Sequence, residues 1–181
     1  QWDPHRAFLR DLYPMVWDDI VGLPATPPNL TFSESLTLHL GTRPIQLKFF
    51  GRAHTQGDIA VYLPSEGVLF AGDIAFHKYV PNAKDGFPTD WARVSAKVAA
   101  LEQDVIVPGH GPIGTRADLV EMHSFLEVVT SQIYQSFEKG LDEAESLKSI
   151  DLGTFKSWGR QEDRLPTLVH RTYQEIRGEL R

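Results

Sequence analysis

The chain of 181 residues has no cysteine, which excludes disulfides, thiolate metal sites and a cysteine nucleophile. Nor does it contain an apolar run approaching the roughly 20 residues of a membrane-spanning helix. No cluster of consecutive lysines and arginines occurs, and the net charge is −6 with a pI near 5.6. That balance argues against a dedicated binder of nucleic acid or of an anionic membrane surface. Internal repeats and low-complexity tracts are also missing. The seven histidines are His5, His39, His54, His77, His110, His123 and His170, and no two of them form a His-x-His pair. The start, Gln1-Trp2-Asp3-Pro4, is neither a methionine start nor a secretion signal, so the chain is expected to begin inside a longer gene product. The compartment stays open: the lack of cysteine fits a reducing cytosol, slightly favoured, and a cysteine-free periplasmic protein fits as well.

What is present is ordinary for a globular domain: 41% hydrophobic residues, 23% charged and a mean hydropathy of −0.26. Residues 1–29 read as an aromatic, proline-punctuated lead-in with a short helical pattern over His5–Tyr13, broken at Pro24-Ala25-Thr26-Pro27-Pro28. From there the period is two. Leu36, Leu38 and Leu40 alternate with Thr37 and His39, and Gly41-Thr42-Arg43-Pro44 turns the chain into a strand over Ile45–Phe50. Ile59–Leu63 and Val68–Ala71 form a second hairpin across Pro64-Ser65-Glu66-Gly67, making a meander of four strands.

The pattern then becomes helical. Trp91, Val94, Val98 and Leu101 mark one face of a helix over Asp90–Leu101. Asp104–Val107 is a short buried-type strand. Thr115 with Asp118 is a capping pair that opens a long helix to about Lys139, ended by Gly140. Asp142–Ile150 and Leu165–Leu180 are two further helices, joined by a loop containing Trp158-Gly159. Strands followed by strand–helix alternation and then helices predict an α/β domain, a mixed sheet covered by helices. It is divided into the lead-in 1–29, a body 30–125 and a helical extension 126–181.

Three side chains of metal-ligating type, His54, Asp73 and His110, each sit where an apolar strand meets a glycine-marked turn. Such positions combine rigidity with access to a cleft. His54 stands between Gly51 and Gly57, and Thr55 and Asp58 beside it are placed to brace the loop or the ring. Asp73 follows Val68-Leu69-Phe70-Ala71-Gly72 and reads as the strand's terminator. A carboxylate there needs water, hydrogen bonds or a cation. His110 lies in Pro108-Gly109-His110-Gly111, with no packing partner for its ring nearby in sequence. Each has a plainer reading, a turn histidine or a capping aspartate.

Taken together, His54-Thr55-x-Gly57-Asp58, Phe70-Ala71-Gly72-Asp73 and Pro108-Gly109-His110-Gly111 resemble the metallo-β-lactamase superfamily, more narrowly its glyoxalase-II-like branch, over roughly residues 30–125. The resemblance implies the C-terminal half of an αββα sandwich and a hydrolase with two metals, most often zinc. His54 would then serve one metal, His110 the other, and Asp73 would bridge them and position the hydroxide. In such a site a metal-bound hydroxide attacks an ester, thioester, lactone or lactam carbonyl. Iron and manganese suit the same ligands.

The family's early His-x-His-x-Asp-His motif is absent. One expectation is therefore that the chain is the C-terminal half of a longer hydrolase, inactive alone. The other is a non-catalytic binding module of the same fold. A half sandwich would expose one apolar face of its strands, so the chain is expected to associate with the missing N-terminal half or with a second copy, as a homodimer. A small-molecule substrate is expected, with no nucleic acid and no membrane as partner.

Of the remaining candidates, His77, Lys78 and Tyr79 are expected on a solvated loop that rims the cleft, with Lys78 and Tyr79 as substrate contacts. His39 is expected to be exposed and His123 to sit within a helix. Phe8, Tyr13 and Trp17 are expected to pack on the sheet. Trp158, Arg160 and Arg164 are left open between substrate selection and oligomer contacts.

Overall fold

Alternating apolar residues build the sheet as their period requires. The computed structural model describes residues 13–17, 19, 24 and 26–180, and two compact units divide the chain, 1–31 and 32–181. In the first, Pro14–Val16 forms a 3-10 turn, and Tyr13 is 52% exposed. The helical pattern over His5–Tyr13 and the Phe8 side chain fall outside the described residues, Tyr13 apart.

The second unit opens with β1 (Ser35–Leu40) and β2 (Arg43–Phe49), joined through Gly41 at φ 63. The turn is narrower than expected because Pro44 belongs to β2. It pairs with His39 at the end of β2 that β3 does not reach, where a missing N–H costs no bond on that side. Next come β3 (Ile59–Leu63) and β4 (Val68–Phe76), all antiparallel in sequence order. Helix α1 (Pro88–Ala99) crosses over to β5 (Val105–His110), which lies parallel to β4 and completes the mixed five-stranded sheet. Helices α2 (Arg116–Glu138), α3 (Glu143–Ser149) and α4 (Gln161–Ile176) follow, with a 3-10 turn over Gly153–Ser157. Among the described residues no helix is long and apolar enough to cross a membrane.

The two faces of the sheet differ. Tyr62, Leu69 and Ile106 are cross-strand neighbours on one face, buried beneath Trp91, Val94, Val98, Leu119, Met122 and Phe125 of α1 and α2. On the other face Leu36, Leu47, Val61, Phe70 and Val107 form a continuous row across all five strands. Phe70 is 45% exposed, and Leu38 and Leu40 on the same face are 45% and 68% exposed.

Two elements depart from expectation where polar residues mask their period. Strand β4 does not stop at Asp73 but runs on to Phe76. Helix α4 starts at Gln161, one turn before the expected Leu165, because Arg160 at φ 65 sets its first turn and pairs with Asp163.

Candidate metal centre

The centre is built where β4 and β5 lose regular register. Their pairing shifts between Phe70 and Gly72 and again between Gly72 and Phe76. A bulge of this kind re-aims side chains, and here it breaks the burial alternation of β4, leaving Asp73 partly exposed ahead of buried Ile74, Ala75 and Phe76. Across the pair, Gly109 supplies the room. A Cβ there would lie 1.8 Å from Asp73 Oδ1, so the carboxylate rests directly on the glycine backbone.

Asp73 stands between the two histidines. Its Oδ2 is 3.3 Å from His54 Nε2 and its Oδ1 is 3.6 Å from His110 Nε2. The three expected ligands are thus brought together, but as a chain with Asp73 in the middle rather than as a cage around one point. Among the described residues no group of three or more His, Asp or Glu side chains converges to hold an ion.

The His54 ring is fixed from behind by a group that the sequence does not reveal. Its Nδ1 lies 2.7 Å from the backbone carbonyl of Asn82. A carbonyl only accepts, so Nδ1 carries a proton and, in the neutral ring, Nε2 keeps its lone pair. That lone pair faces a carboxylate oxygen. Two acceptors at this separation repel unless a proton or a metal cation lies between them. The chemistry of the donor set, imidazole nitrogens flanking a carboxylate, therefore fits a divalent cation of the zinc, iron or manganese kind.

Aromatic rings complete the support. His54 packs against Trp91 at 5.6 Å and Phe76 at 5.9 Å between ring centroids. The Trp91 indole N–H donates to the Ile74 carbonyl, 2.9 Å away. His110, the last residue of β5, stacks on Phe76 at 4.7 Å. The His110 ring, without a packing partner in its own stretch of sequence, finds one on the adjacent strand, at its register neighbour.

Thr55 and Asp58 hold each other: the Asp58 carboxylate accepts from the Thr55 amide at 2.6 Å and from its hydroxyl at 2.9 Å. They brace the loop, while Asn82 orients the ring. His77 corrects the expectation of a solvated loop residue. It is 1% exposed, its amide donates to the His110 carbonyl, and its Nδ1 lies 3.0 Å from the Pro112 carbonyl. Burial pushes its pKa down from the ordinary 6.5. Lys78, at φ 61, pairs with Glu121 of α2, and Tyr79 bridges to Gly159, where a Cβ would meet its ring at 2.9 Å. His39 is exposed, and His123 lies in α2 with Nδ1 2.9 Å from the Ala92 carbonyl. Trp158 is 3% exposed and stacks on Phe125 at 4.8 Å, and Arg164 is buried over the Phe76 ring.

Known proteins are similar to this chain in sequence and in fold. Residues 3–110 match the model of the metallo-beta-lactamase superfamily, more than half of the chain. The metallo-beta-lactamase type 2 of Bacteroides fragilis is 35% identical over 98 residues, which is 51% of this chain and 39% of that protein. That of Bacillus cereus is 27% identical over 95 residues, 50% of this chain and 37% of that protein. The chain therefore spans well under half the length of these relatives. Among solved structures, a metallo-beta-lactamase from Pontibacter korlensis aligns with a TM-score of 0.52 at 25% identity, over 67% of this chain and 54% of that one. A sec-alkylsulfatase from Pseudomonas sp. shares the fold, with a TM-score of 0.64 at 17% identity over 82% of this chain and 26% of that one. On the extent of the family match and the sheet and helices that carry it, the chain belongs to the metallo-beta-lactamase superfamily.

Proposed function

We propose that this chain supplies part of the active centre of a metal-dependent hydrolase, with His54, Asp73 and His110 as ligands and zinc as the favoured metal. The observation that carries the reading is the aim of His54: Nδ1 is committed to Asn82, so Nε2 is the ring atom turned towards Asp73. The metal, when bound, supplies Lewis acidity, lowering the pKa of water and polarising a carbonyl. The chain's own residues do the holding. Asn82 and the Trp91 and Phe76 rings fix His54; Phe76 fixes His110; Gly109 seats the Asp73 carboxylate between them. Asp73 offers one oxygen to each histidine's side, the disposition suited to a carboxylate shared by two ions.

Each ion would then be short of ligands. The remaining ones would come from a segment that covers the apolar sheet face, either an N-terminal half of the sandwich or a second copy of the chain. The electrophile is an ester, thioester, lactone or lactam carbonyl. The glyoxalase-II-like placement rests on the motifs His54-Thr55-x-Gly57-Asp58, Phe70-Ala71-Gly72-Asp73 and Pro108-Gly109-His110-Gly111 taken together.

Metal analysis of the full-length protein tests the reading. About two metal ions per chain, with hydrolysis lost on Asp73→Ala, is the expected result. Protein that binds no metal and is indifferent to the substitution sinks it. A second reading, a non-catalytic module of the same fold, is favoured by the absence of a converging three-ligand group among the described residues, and the same assay decides between them.

A further inference from the structure

His54 and His110 are held in different ways. The His54 ring is fixed from its far side, with Nδ1 on the Asn82 carbonyl. The His110 side chain is about half exposed; its ring stacks on Phe76 and faces Asp73, and among the described residues its Nδ1 makes no hydrogen bond. The aim of His110 therefore depends on its backbone, and beyond the end of β4 that backbone is held by His77. The His77 amide donates to the His110 carbonyl at 2.9 Å, and the His77 ring Nδ1 lies 3.0 Å from the Pro112 carbonyl. The two acceptors flank Gly111.

Two glycines show how closely His77 fills this loop. Gly111 has φ 97, and a Cβ there would meet the His77 carbonyl oxygen at 2.1 Å. At Gly114 a Cβ would stand 2.5 Å from His77 Nδ1. The loop after β5 is thus wrapped around a residue that is 1% exposed. An apolar side chain would fill such a hollow; what imidazole adds is an N–H. A carbonyl only accepts, so Nδ1 carries a proton. In the neutral ring Nε2 is then an acceptor, buried and without a partner among the described residues, which is unfavourable. An apolar residue would avoid that unpaired nitrogen and lose the bond to Pro112. It is the donor, rather than the packing, that distinguishes histidine here.

We propose that His77 is the positioning residue of His110: by donating to the carbonyls on both sides of Gly111, it sets where the His110 imidazole stands against Asp73. This rests on the ligand role given to His110 above and deepens it. The link is short. Phe76 and His110 are register partners, so the ring stack lies beside the clamped carbonyl. A shift of the loop slides His110 along Phe76 and away from its 3.6 Å approach to Asp73. Groups that hold a metal ligand in place typically change metal affinity about tenfold to a hundredfold when removed.

The test uses full-length protein as wild type, His77→Phe and His77→Asn. Phenylalanine keeps a ring and removes the donor, whereas asparagine keeps an N–H two bonds from Cβ, as Nδ1 is. Zinc affinity, measured by competition with a chromophoric chelator, is expected to fall about tenfold or more in His77→Phe and to return to within about twofold of wild type in His77→Asn. A second readout is the NMR shift of the His110 ring protons in metal-free protein, assigned with His110→Gln. Stacking on Phe76 displaces them from the shift of a free imidazole; His77→Phe should bring them back towards it, and His77→Asn should not. A role confined to stability would leave that shift unchanged in the folded fraction. An unchanged shift in His77→Phe overturns the inference, and so does an asparagine variant that behaves like the phenylalanine one. If His77→Phe does not fold, ring-nitrogen NMR of the wild type decides: a His77 proton on Nδ1 upholds the clamp, and one on Nε2 overturns it. The two readings fail separately. Shifts that respond to His77 in a protein that binds no zinc would refute the hydrolase and keep the positioning. Zinc bound equally by wild type and His77→Phe would do the reverse, and no zinc with unresponsive shifts would overturn both.

Discussion

Replacing Gly109 with alanine probes the centre without touching a proposed ligand. Gly109 is not among the glycines with positive φ, so its backbone accepts alanine and the whole effect comes from one methyl group. That methyl would stand 1.8 Å from Asp73 Oδ1, 3.0 Å from Asp73 Cγ and 2.9 Å from the Gly72 carbonyl carbon. Carbon contacts relax near roughly 3.5 Å, so the carboxylate oxygen must retreat by on the order of 1.5 Å. The approaches of 3.3 Å to His54 and 3.6 Å to His110 are set by that oxygen pair and cannot both survive. A misplacement of about 1 Å in a catalytic constellation costs on the order of a hundredfold in rate. Overpacking at the β4–β5 seam costs a further ~1–3 kcal/mol of stability.

Three measurements on Gly109→Ala read this out: metal content, hydrolysis and unfolding free energy by denaturant. The expected result is a loss of metal and activity close to that of Asp73→Ala, in a protein that remains folded. The pair also forms a double-mutant cycle. With Asp73 already shortened, the contacts of the new methyl with Oδ1 and Cγ vanish while that with Gly72 stays, so the stability costs should be less than additive. Metal content and activity within about twofold of wild type, a change too small for a displaced ligand, would refute the placement of the carboxylate. So would strictly additive stability costs. Gly111 is a poorer probe: it sits at φ 97, and a Cβ there would meet the His77 carbonyl at 2.1 Å, breaking the strand pair itself.

Two further outcomes follow from the rest of the fold. Glu175 of α4 accepts from the Thr89 amide at 3.0 Å and hydroxyl at 2.7 Å, at the start of α1, and burial raises its pKa above the ordinary 4.5. Its folded value exceeds its unfolded one, so its contribution to stability is full below pH 4.5 and is lost as pH rises through the folded value. Glu175→Gln keeps an acceptor and removes the charge; unfolding measured across pH should show the variant gaining on the wild type through that window, and a difference that does not vary with pH would contradict it. For the apolar sheet face, sedimentation of this chain alone should show association, and Leu38→Lys with Phe70→Lys should weaken it, since both residues are 45% exposed on that face; a dispersed monomer before substitution would count against it.

Much of the molecule can be read from local pattern, and the limits of that reading have physical causes. The Trp91, Val94, Val98 spacing of α1 reports its element because each residue's burial follows the period of the segment, and the leucines of β1 report theirs by alternation alone, on a face left exposed. Thr115 with Asp118 reports a helix start because the cap is closed within a few residues, with the Asp118 carboxylate accepting from the Thr115 amide at 2.8 Å. Asp73 misleads because a polar residue inside a strand looks like its end. The bulge that lets β4 run on to Phe76 is made by pairing with β5, over 30 residues away. The apolar triplet Ile74-Ala75-Phe76 was the available sign of a continuing strand.

Asn82 and Arg164 mark a deeper limit. Asn82 acts through its carbonyl, which every residue has, so no side-chain pattern distinguishes the one that meets His54. Arg164 lies in a polar first turn, Gln161-Glu162-Asp163-Arg164, where exposure is the ordinary outcome. Its burial is decided by α4 crossing back over Val80 and Phe76, a contact spanning 84 residues of sequence. The proposed ligands are legible because their chemistry is rare and stands beside glycines that mark breaks in apolar segments. The groups that aim and balance those ligands are common residues, made specific by tertiary contact. A motif therefore locates this centre, whereas its support lies in the residues packed around Phe76, which only the folded chain reveals.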